Sequence, residues 1–146
     1  MSTTGLDVFD KTLQATNIWL DEISRDIGPD RQVAWNVLTA VLHALRDRLT
    51  VDLAAHLGAQ LPLLVRGVYY DQYVPARQPS DIDNAEAFSA AVAKSLANIR
   101  PVDVTTAIAS VFGVLTHHVT EGQVGKVRKA LPHGIRALWP ETTAVG

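Results

Sequence analysis

The chain of 146 residues contains no cysteine. This absence excludes a disulfide framework, a thiolate zinc site and a thiol nucleophile. It is typical of proteins that stay in a reducing compartment, so we predict a cytoplasmic location. Residues 1–12 carry no basic leader followed by an apolar run, which predicts that there is no signal peptide. The longest apolar runs are far shorter than the roughly 18 residues that indicate a membrane span, and we predict no membrane association.

The sequence also lacks a large excess of either charge, since 13 Lys and Arg residues stand against 15 Asp and Glu residues. A nucleic-acid-binding domain normally shows a strong basic excess. A basic stripe would form if one helix ran through Lys126, Lys129, His133 and Arg136, but Pro132 interrupts that helix. We therefore predict no nucleic-acid partner.

Cofactor and catalytic motifs are missing as well. The nine glycines form neither a G-x-G-x-x-G motif nor a phosphate loop followed by lysine, so we predict no nucleotide cofactor. His43 lies one helical turn before Asp47, and His56 one turn before Gln60, so each pair has hydrogen-bonding spacing. No nucleophile can be placed beside either pair. We expect surface or boundary positions for these residues, no catalytic residue, and a protein that is not an enzyme.

The adjacent pair His117 and His118 is the most obvious candidate for a metal site. Neighbouring residues on a helix point about 100° apart, so both rarely bind one ion. We interpret the pair as two solvated side chains at a helix C-terminus, where a partly charged imidazole suits the helix dipole. The sequence predicts no metal cofactor.

What the chain does contain is helical periodicity, and we find no convincing strand. The first helix has one apolar face, formed by Phe9, Leu13, Leu20, Ile23 and Ile27. Gly28-Pro29-Asp30 ends it and starts a second helix, whose stripe comprises Trp35, Leu38, Leu42, Leu45 and Leu49. Thr50 is predicted to cap a third helix, and Pro62 to end it and to begin a fourth.

Residues 41–69 repeat without a gap 70 residues later, at 111–139. Six of these 29 positions are identical, and they include a helix cap, a proline and the apolar stripe. The aromatic residue Tyr69 corresponds to Trp139, and Thr120 has Gln123 at the spacing of a capping box. The sequence therefore predicts an all-α fold, a duplicated helical bundle of two similar units with about four helices each.

The predicted organisation has four parts: a first repeat at 5–73, a linker at 74–84, a second repeat at 85–140 and a tail at 141–146. The linker is predicted from its two prolines and its polar residues. The opening helix is longer in the first repeat, because Phe9 and Phe88 differ by 79 residues rather than 70.

Three stretches carry a resemblance to a known family. VFDKTLQATNIWLDEI, AVLHALRDRLTVDLAAHLGAQLPLLVRGVYYDQY and VFGVLTHHVTEGQVGKVRKALPHGIRALWP are together similar to the bacterial domain of unknown function 2267. The similarity extends over roughly residues 6–140. It implies a soluble, helical, duplicated bacterial protein, and it implies no catalytic residue.

The stretch from Pro62 to Tyr73 is the first candidate for an interaction site. Its repeated part, Leu-Pro…Arg…aromatic, is predicted to be structural: Arg66 and Arg136 can satisfy carbonyls at a helix end or pair with a carboxylate. Tyr70 and Tyr73 do not repeat, and tyrosine is enriched in protein–protein contacts. The predicted interaction residues are Arg66, Tyr70, Tyr73 and Arg136, with the alternative that both tyrosines cover the seam between the repeats.

These observations favour a non-enzymatic interaction or scaffold module that binds an unidentified protein or self-associates. The alternative is a small-molecule binding protein with a pocket between the two helical repeats. A metabolite that raises the melting temperature would favour the pocket, whereas a co-purifying protein would favour the module.

Overall fold

The structure is a computed structural model that describes residues 3–99 and 101–141. Within these residues it contains helices and no strands, so the predicted all-α class is confirmed. The helices are α1 (Asp7–Ile27), α2 (Arg31–Arg48), α3 (Val51–Gly58), α4 (Leu63–Tyr70), α5 (Ala85–Ser95), α6 (Val104–His118), α7 (Glu121–Ala130) and α8 (His133–Arg136). A short 3-10 turn, Pro75–Arg77, lies between α4 and α5. The predicted tail falls almost wholly outside the described residues.

Local signals in the sequence set the helix boundaries. Gly28 ends α1 with a positive φ of 113°, a conformation that suits glycine. Asp30 then caps α2 by accepting from the amides of Gln32 and Val33. The predicted cap Thr50 is confirmed, since its hydroxyl accepts from the amide of Leu53 at 3.3 Å.

The two proline breaks occur where they were predicted. Pro62 and Pro132 stand immediately before α4 and α8, and α7 ends at Ala130. Proline has no amide hydrogen to continue a helix, but its fixed φ suits the residues that open one. The basic stripe that Pro132 was expected to interrupt is therefore divided between α7 and α8.

Helices from both halves of the chain pack into one hydrophobic core. α1 contacts α6 and α2, α2 contacts α5 and α6, and α3 contacts α7. The buried residues of both halves belong to the same cluster, in which Trp19, Tyr69, Phe88 and Phe112 are the largest side chains with almost no exposure. Apolar burial over this core supplies the main driving force for folding.

The apolar face of α1 is only half covered by this core. Ile23 is fully buried and Leu20 is 7% exposed, whereas Phe9 and Leu13 on the same face are 51% and 43% exposed. The apolar side chains on the first two turns of α1 therefore stay partly exposed to solvent. In α5, by contrast, Phe88 is fully buried.

The segment predicted as a linker is held against the C-terminal end of α2. Gln78 donates its side-chain amide to the carbonyls of Arg46 and Leu49, at 2.6 and 2.8 Å. The amide of Ser80 donates to the carbonyl of Asp47 at 2.7 Å. These bonds satisfy carbonyls that a helix end leaves without partners.

Candidate functional site

The two repeated arginines, Arg66 and Arg136, donate hydrogen bonds to backbone carbonyls. This is one of the two roles predicted for them. The guanidinium of Arg66 donates to the carbonyls of Gly58, Ala59 and Leu61 at 3.0 to 3.1 Å. Arg136 donates in the same way to the carbonyls of Lys129 at 3.3 Å and Leu131 at 3.0 Å. Each arginine therefore fixes the turn that ends the preceding helix.

The repeated aromatic positions are buried, which confirms their predicted packing role. Tyr69 is fully buried and donates its hydroxyl to the carbonyl of Ala54 at 2.7 Å. Trp139 is 3% exposed, and its ring nitrogen donates to the Thr116 hydroxyl at 2.8 Å. A buried Tyr or Trp normally finds such a partner for its polar group.

Tyr70 is half-buried and packs over α3 and against Tyr69. Its ring meets the Tyr69 ring edge-on, with 5.0 Å between the centroids. Gly58 provides the space, because a Cβ built at this position would lie 2.5 Å from the Tyr70 hydroxyl oxygen. The Tyr73 ring lies beside Tyr70, with 5.8 Å between the centroids.

Tyr73 belongs to a network around Arg46, a residue that the sequence analysis did not single out. Arg46 is 3% exposed, and its guanidinium carbon lies 4.9 Å from the centre of the Tyr73 ring. It donates to the carbonyls of Tyr69 at 2.6 Å and Asp71 at 2.9 Å, and to the Asp47 carboxylate at 2.8 Å. Burial raises the pKa of the Tyr73 hydroxyl, so this ring stays neutral over the ordinary pH range.

This network gives Arg46 a structural task. It joins the C-terminal end of α4 to α2, and the Tyr73 hydroxyl extends it by donating to the Gln78 side chain. Arg46 directly follows Leu45 of the predicted apolar stripe. A charged residue beside the buried stripe was the signal that the sequence offered for this network.

The hydrogen-bond pairs that the one-turn spacing allows, His43 with Asp47 and His56 with Gln60, do not form. His43 instead places its Nε2 2.6 Å from the carbonyl oxygen of Val68, and Asp47 pairs with Arg46. His43 therefore bonds to the neighbouring helix α4 rather than within α2, and the Asp47 carboxylate accepts from the adjacent residue Arg46.

Gln60 reaches across the chain to the start of α7. Its side-chain oxygen accepts from the amide of Thr120 at 2.9 Å, and its nitrogen donates to the Thr120 hydroxyl at 3.1 Å. Gln123, the predicted capping-box partner, gives only its backbone amide to Thr120, and its side-chain nitrogen is buried without a partner. The reciprocal half of the cap thus comes from the first half of the chain.

The histidine pair is not merely solvated, which corrects the sequence interpretation. His117 Nδ1 lies 3.0 Å from one carboxylate oxygen of Glu22, and His118 Nε2 lies 2.6 Å from the other. His118 also stacks on Trp19, with 5.5 Å between the ring centroids. Although adjacent helical side chains diverge, the two oxygens of one carboxylate on α1 are spaced to meet both.

This carboxylate joins α1 to the C-terminal end of α6. Burial alone would raise the pKa of Glu22, but the hydrogen bonds to His117 and His118 outweigh it and hold the pKa below its usual value. In residues 3–99 and 101–141, no group of three His, Cys, Asp or Glu side chains is arranged to hold a metal ion. No helix of this part of the chain has both the length and the apolar character to cross a membrane.

A shallow cleft of about 680 Å³ lies beside this contact, between α1 and α6. Its walls carry charges of both signs, including Glu22, Arg25 and Asp26, and its floor on α6 is formed by small residues such as Ala109 and Gly113. Ser110 lines the same cleft two helical turns before His117, a rise of roughly 10 Å along the axis, so these two side chains are not spaced as a nucleophile and its base.

An apolar groove of about 590 Å³ lies between the first turns of α1 and the length of α4. Phe9 and Leu13 form one wall, Leu63 and Leu64 belong to the other, and Trp35 of α2 closes the floor. Leu63 and Leu64 are 51% and 41% exposed. We call this recess, with its lining residues Thr4, Phe9, Thr12, Leu13, Trp35, Leu63, Leu64, Gly67, Val68 and Asp71, the α1–α4 groove.

This groove was not predicted from the sequence. The predicted interaction residues Arg66 and Tyr70 lie on α4 but do not line the groove, and Tyr73 follows in the next turn. The available signal was the longer opening helix of the first half, which indicated apolar residues with no counterpart in the second half.

Fold and site together define an all-helical protein with a single core and an open apolar groove. Residues 16–138 match the family described as uncharacterized conserved protein, DUF2267. Because this match spans most of the chain, the protein belongs to that family. Among curated proteins, none matches this chain.

Proposed function

We propose that this protein is a non-enzymatic interaction module that binds another protein through the α1–α4 groove. The observation that carries the proposal is the cluster of exposed large apolar side chains on both walls, Phe9, Leu13, Leu63 and Leu64. Single exposed apolar residues are common, but a contiguous apolar patch with a polar rim is typical of a binding surface.

The lining of the groove also contains few charged groups. Only one charged residue, Asp71, is among its lining residues. The core of a protein–protein interface is depleted of charge and rich in aromatic and aliphatic side chains. Phe9 and Trp35 supply the large aromatic surfaces that such a core needs.

We also infer that the chain is a duplicated bundle, with units at 5–73 and 85–140, in a cytoplasmic bacterial protein. Three equivalent contacts support the duplication: Thr50 and Thr120 cap α3 and α7, Arg66 and Arg136 bind the preceding carbonyls, and Tyr69 and Trp139 are buried. In this scheme Leu63 and Leu64 correspond to His133 and Gly134. The apolar groove is therefore a feature of the first unit only.

The second unit closes the equivalent recess by itself. A Cβ at Gly134 would lie 3.3 Å from the backbone nitrogen of Ala85, so α8 and the start of α5 approach closely there. The first unit has two leucines at this place and a longer first helix, and its recess stays open. An acquired binding role for the first unit accounts for this difference.

The predicted patch of Arg66, Tyr70, Tyr73 and Arg136 stays a second proposed contact surface. Arg66, Tyr73 and Arg136 already donate hydrogen bonds inside the chain, which favours the groove as the main docking site. Weaker partner binding by Tyr70→Ala with Tyr73→Ala at unchanged stability would support the patch. A large loss of stability would assign both rings to packing.

A small-molecule function would use the cleft between α1 and α6, because that cleft lies at the junction of the two halves and presents both charge signs. Arg25 and Asp26 would bind a small ligand that carries complementary charges. Thermal stabilisation by a metabolite, lost in Arg25→Gln, would support this alternative.

The proposed function is tested by native mass spectrometry of the tagged protein isolated gently from its own host. We expect a reproducible protein adduct on the unaltered chain and its loss in Leu13→Asp and Leu64→Asp. Val51→Asp is the matched control, because Val51 is 47% exposed on α3 outside the groove. An adduct that survives both groove substitutions, or a small-molecule adduct in its place, would contradict the proposal.

A further inference from the structure

The hydrogen bonds that the lining side chains already make indicate what kind of partner the α1–α4 groove can bind. The hydroxyl of Thr12 accepts from the amide of Leu64 at 2.8 Å, where it caps the start of α4. The hydroxyl of Thr4 lies 2.9 Å from the Asp10 carboxylate and accepts from the amide of Leu6 at 3.2 Å. Among the lining side chains, the exposed carboxylate of Asp71 is the main polar group directed to solvent.

We propose that the groove binds an amphipathic α-helix of another protein, with apolar residues on its buried face and a Lys or Arg side chain near Asp71. This inference rests on the proposed function. It specifies the conformation and the charge of the partner, and both follow from what the groove offers.

The helical conformation follows from the lack of hydrogen-bonding groups in the walls. Every backbone amide and carbonyl that leaves water needs a partner. An extended peptide in this groove would find no exposed strand edge and no row of side-chain partners, so its backbone would be left unpaired. A helix satisfies its own backbone groups and needs only an apolar surface, as in known helix-in-groove recognition.

The dimensions of the apolar surface suit a helix of a few turns. Leu6 directly precedes α1, Phe9 and Leu13 follow it at i+3 and i+7 on the helix, and Leu6 is 50% exposed beyond the groove itself. Seven residues of a helix extend over roughly 10 Å. Leu64 and Val68 present a parallel row on α4, one turn apart. A third helix between two such rows is the ordinary way in which helices pack.

The charge of the partner follows from Asp71. This exposed residue is the one charged residue among those that line the groove. The same lining contains no Lys, Arg or His, so a second copy docked through the same surface would bring no cation to this carboxylate. A helix with a basic margin would instead be attracted, so a different protein fits the groove better than a second copy.

Fluorescence anisotropy with labelled synthetic helices tests this inference. The probe is a peptide of about five turns with leucines on one face and lysines at its margins. Two matched peptides replace the lysines by glutamates or interrupt the helix with a central proline. We expect the lysine peptide to bind roughly tenfold tighter than either matched peptide. Binding should be lost in Leu64→Asp and kept in Val51→Asp.

The position of the cation is tested on the protein side. Asp71→Asn should remove most of the preference for lysine over glutamate margins, whereas Asp52→Asn, an exposed carboxylate on α3, should leave the preference unchanged. A preference that survives Asp71→Asn would overturn the assignment of the cation to this site.

The remaining outcomes separate this inference from the proposed function. If the proline peptide binds as tightly as the lysine peptide, the helical requirement is wrong. If no peptide binds although Leu64-dependent adducts are seen in native mass spectra, the helical partner is wrong and the interaction module stands. If Leu64→Asp affects neither the peptides nor the adducts, both proposals are wrong. A chain dimer lost in Leu64→Asp would show that the occupant is a second copy.

Discussion

The buried Arg46 network makes the sharpest prediction about stability. In Arg46→Met the side chain keeps an apolar stem of similar length but loses its guanidinium. The carbonyls of Tyr69 and Asp71, now 2.6 and 2.9 Å from Nη1, lose their donor, and the Tyr73 ring loses the cation 4.9 Å from its centre. The substitution should destabilise the fold, because these carbonyls have no local replacement at the end of α4.

The size of the loss can be worked out from these contacts. A hydrogen bond to a charged group contributes about 1.5–3 kcal/mol, and a cation–π contact about 0.5–2 kcal/mol. The lower limits for two bonds and one ring contact sum to about 3.5 kcal/mol, and relief from burying the charge offsets part of this. We expect a net loss of about 3 kcal/mol, or a drop in melting temperature of roughly 10 °C.

Urea unfolding followed by circular dichroism measures this loss. Arg48→Met is the matched control, since Arg48 lies two residues further on α2 and its Nε is buried without a hydrogen-bond partner. The control should change stability by less than about 1 kcal/mol. A loss below about 1 kcal/mol in Arg46→Met would refute the assigned role of the network.

Three further predictions follow from the other contacts. Gln60→Ala should lower the free energy of unfolding by about 1 kcal/mol, because the amide of Thr120 loses its acceptor. Urea unfolding measures this loss, and Gln14→Ala, at a solvent-exposed glutamine, is the control. Glu22→Gln should destabilise the protein near neutral pH, but this difference should shrink as the pH falls below about 4.5. The reason is that a carboxylate whose pKa is lowered by folding stabilises the protein at pH values above its pKa in the unfolded chain, and this stabilisation is lost when the carboxylate is protonated. A difference in stability that stays constant down to about pH 3 would refute the Glu22 contact. Tyr73→Ala should lower the free energy of unfolding by about 1–2 kcal/mol, because the ring over Arg46 is lost, whereas Tyr73→Phe keeps the ring and should lower it less. Equal losses of stability in thermal melts would assign the effect to the hydroxyl.

Much of the fold could be predicted because its signals are local. Helix boundaries at Gly28, Thr50 and Pro62 depend on backbone dihedrals and on side chains within a few residues, and the sequence shows both directly. The carbonyl contacts of Arg66 and Arg136 also stay within eight residues, so their structural role was predictable.

Most of the contacts that were missed join residues that are far apart in the sequence. Glu22 meets the two histidines across 95 and 96 residues, and Gln60 meets Thr120 across 60. Periodicity shows which face of a helix is apolar, but not which residue of a distant helix will lie opposite. For the same reason it showed Phe9 and Leu13 as part of a buried face, whereas the tertiary packing leaves them exposed.

The most direct test of the interaction role is site-specific photo-crosslinking in living cells. A photo-reactive benzoylphenylalanine replaces Leu64 in one strain and Val51 in another, since both residues are exposed and only Leu64 lines the groove. We expect a discrete protein adduct from position 64, suppressed by Leu13→Asp, and none from position 51. No adduct from position 64, or the same adduct from both positions, would contradict the assignment of the α1–α4 groove as a protein-binding surface.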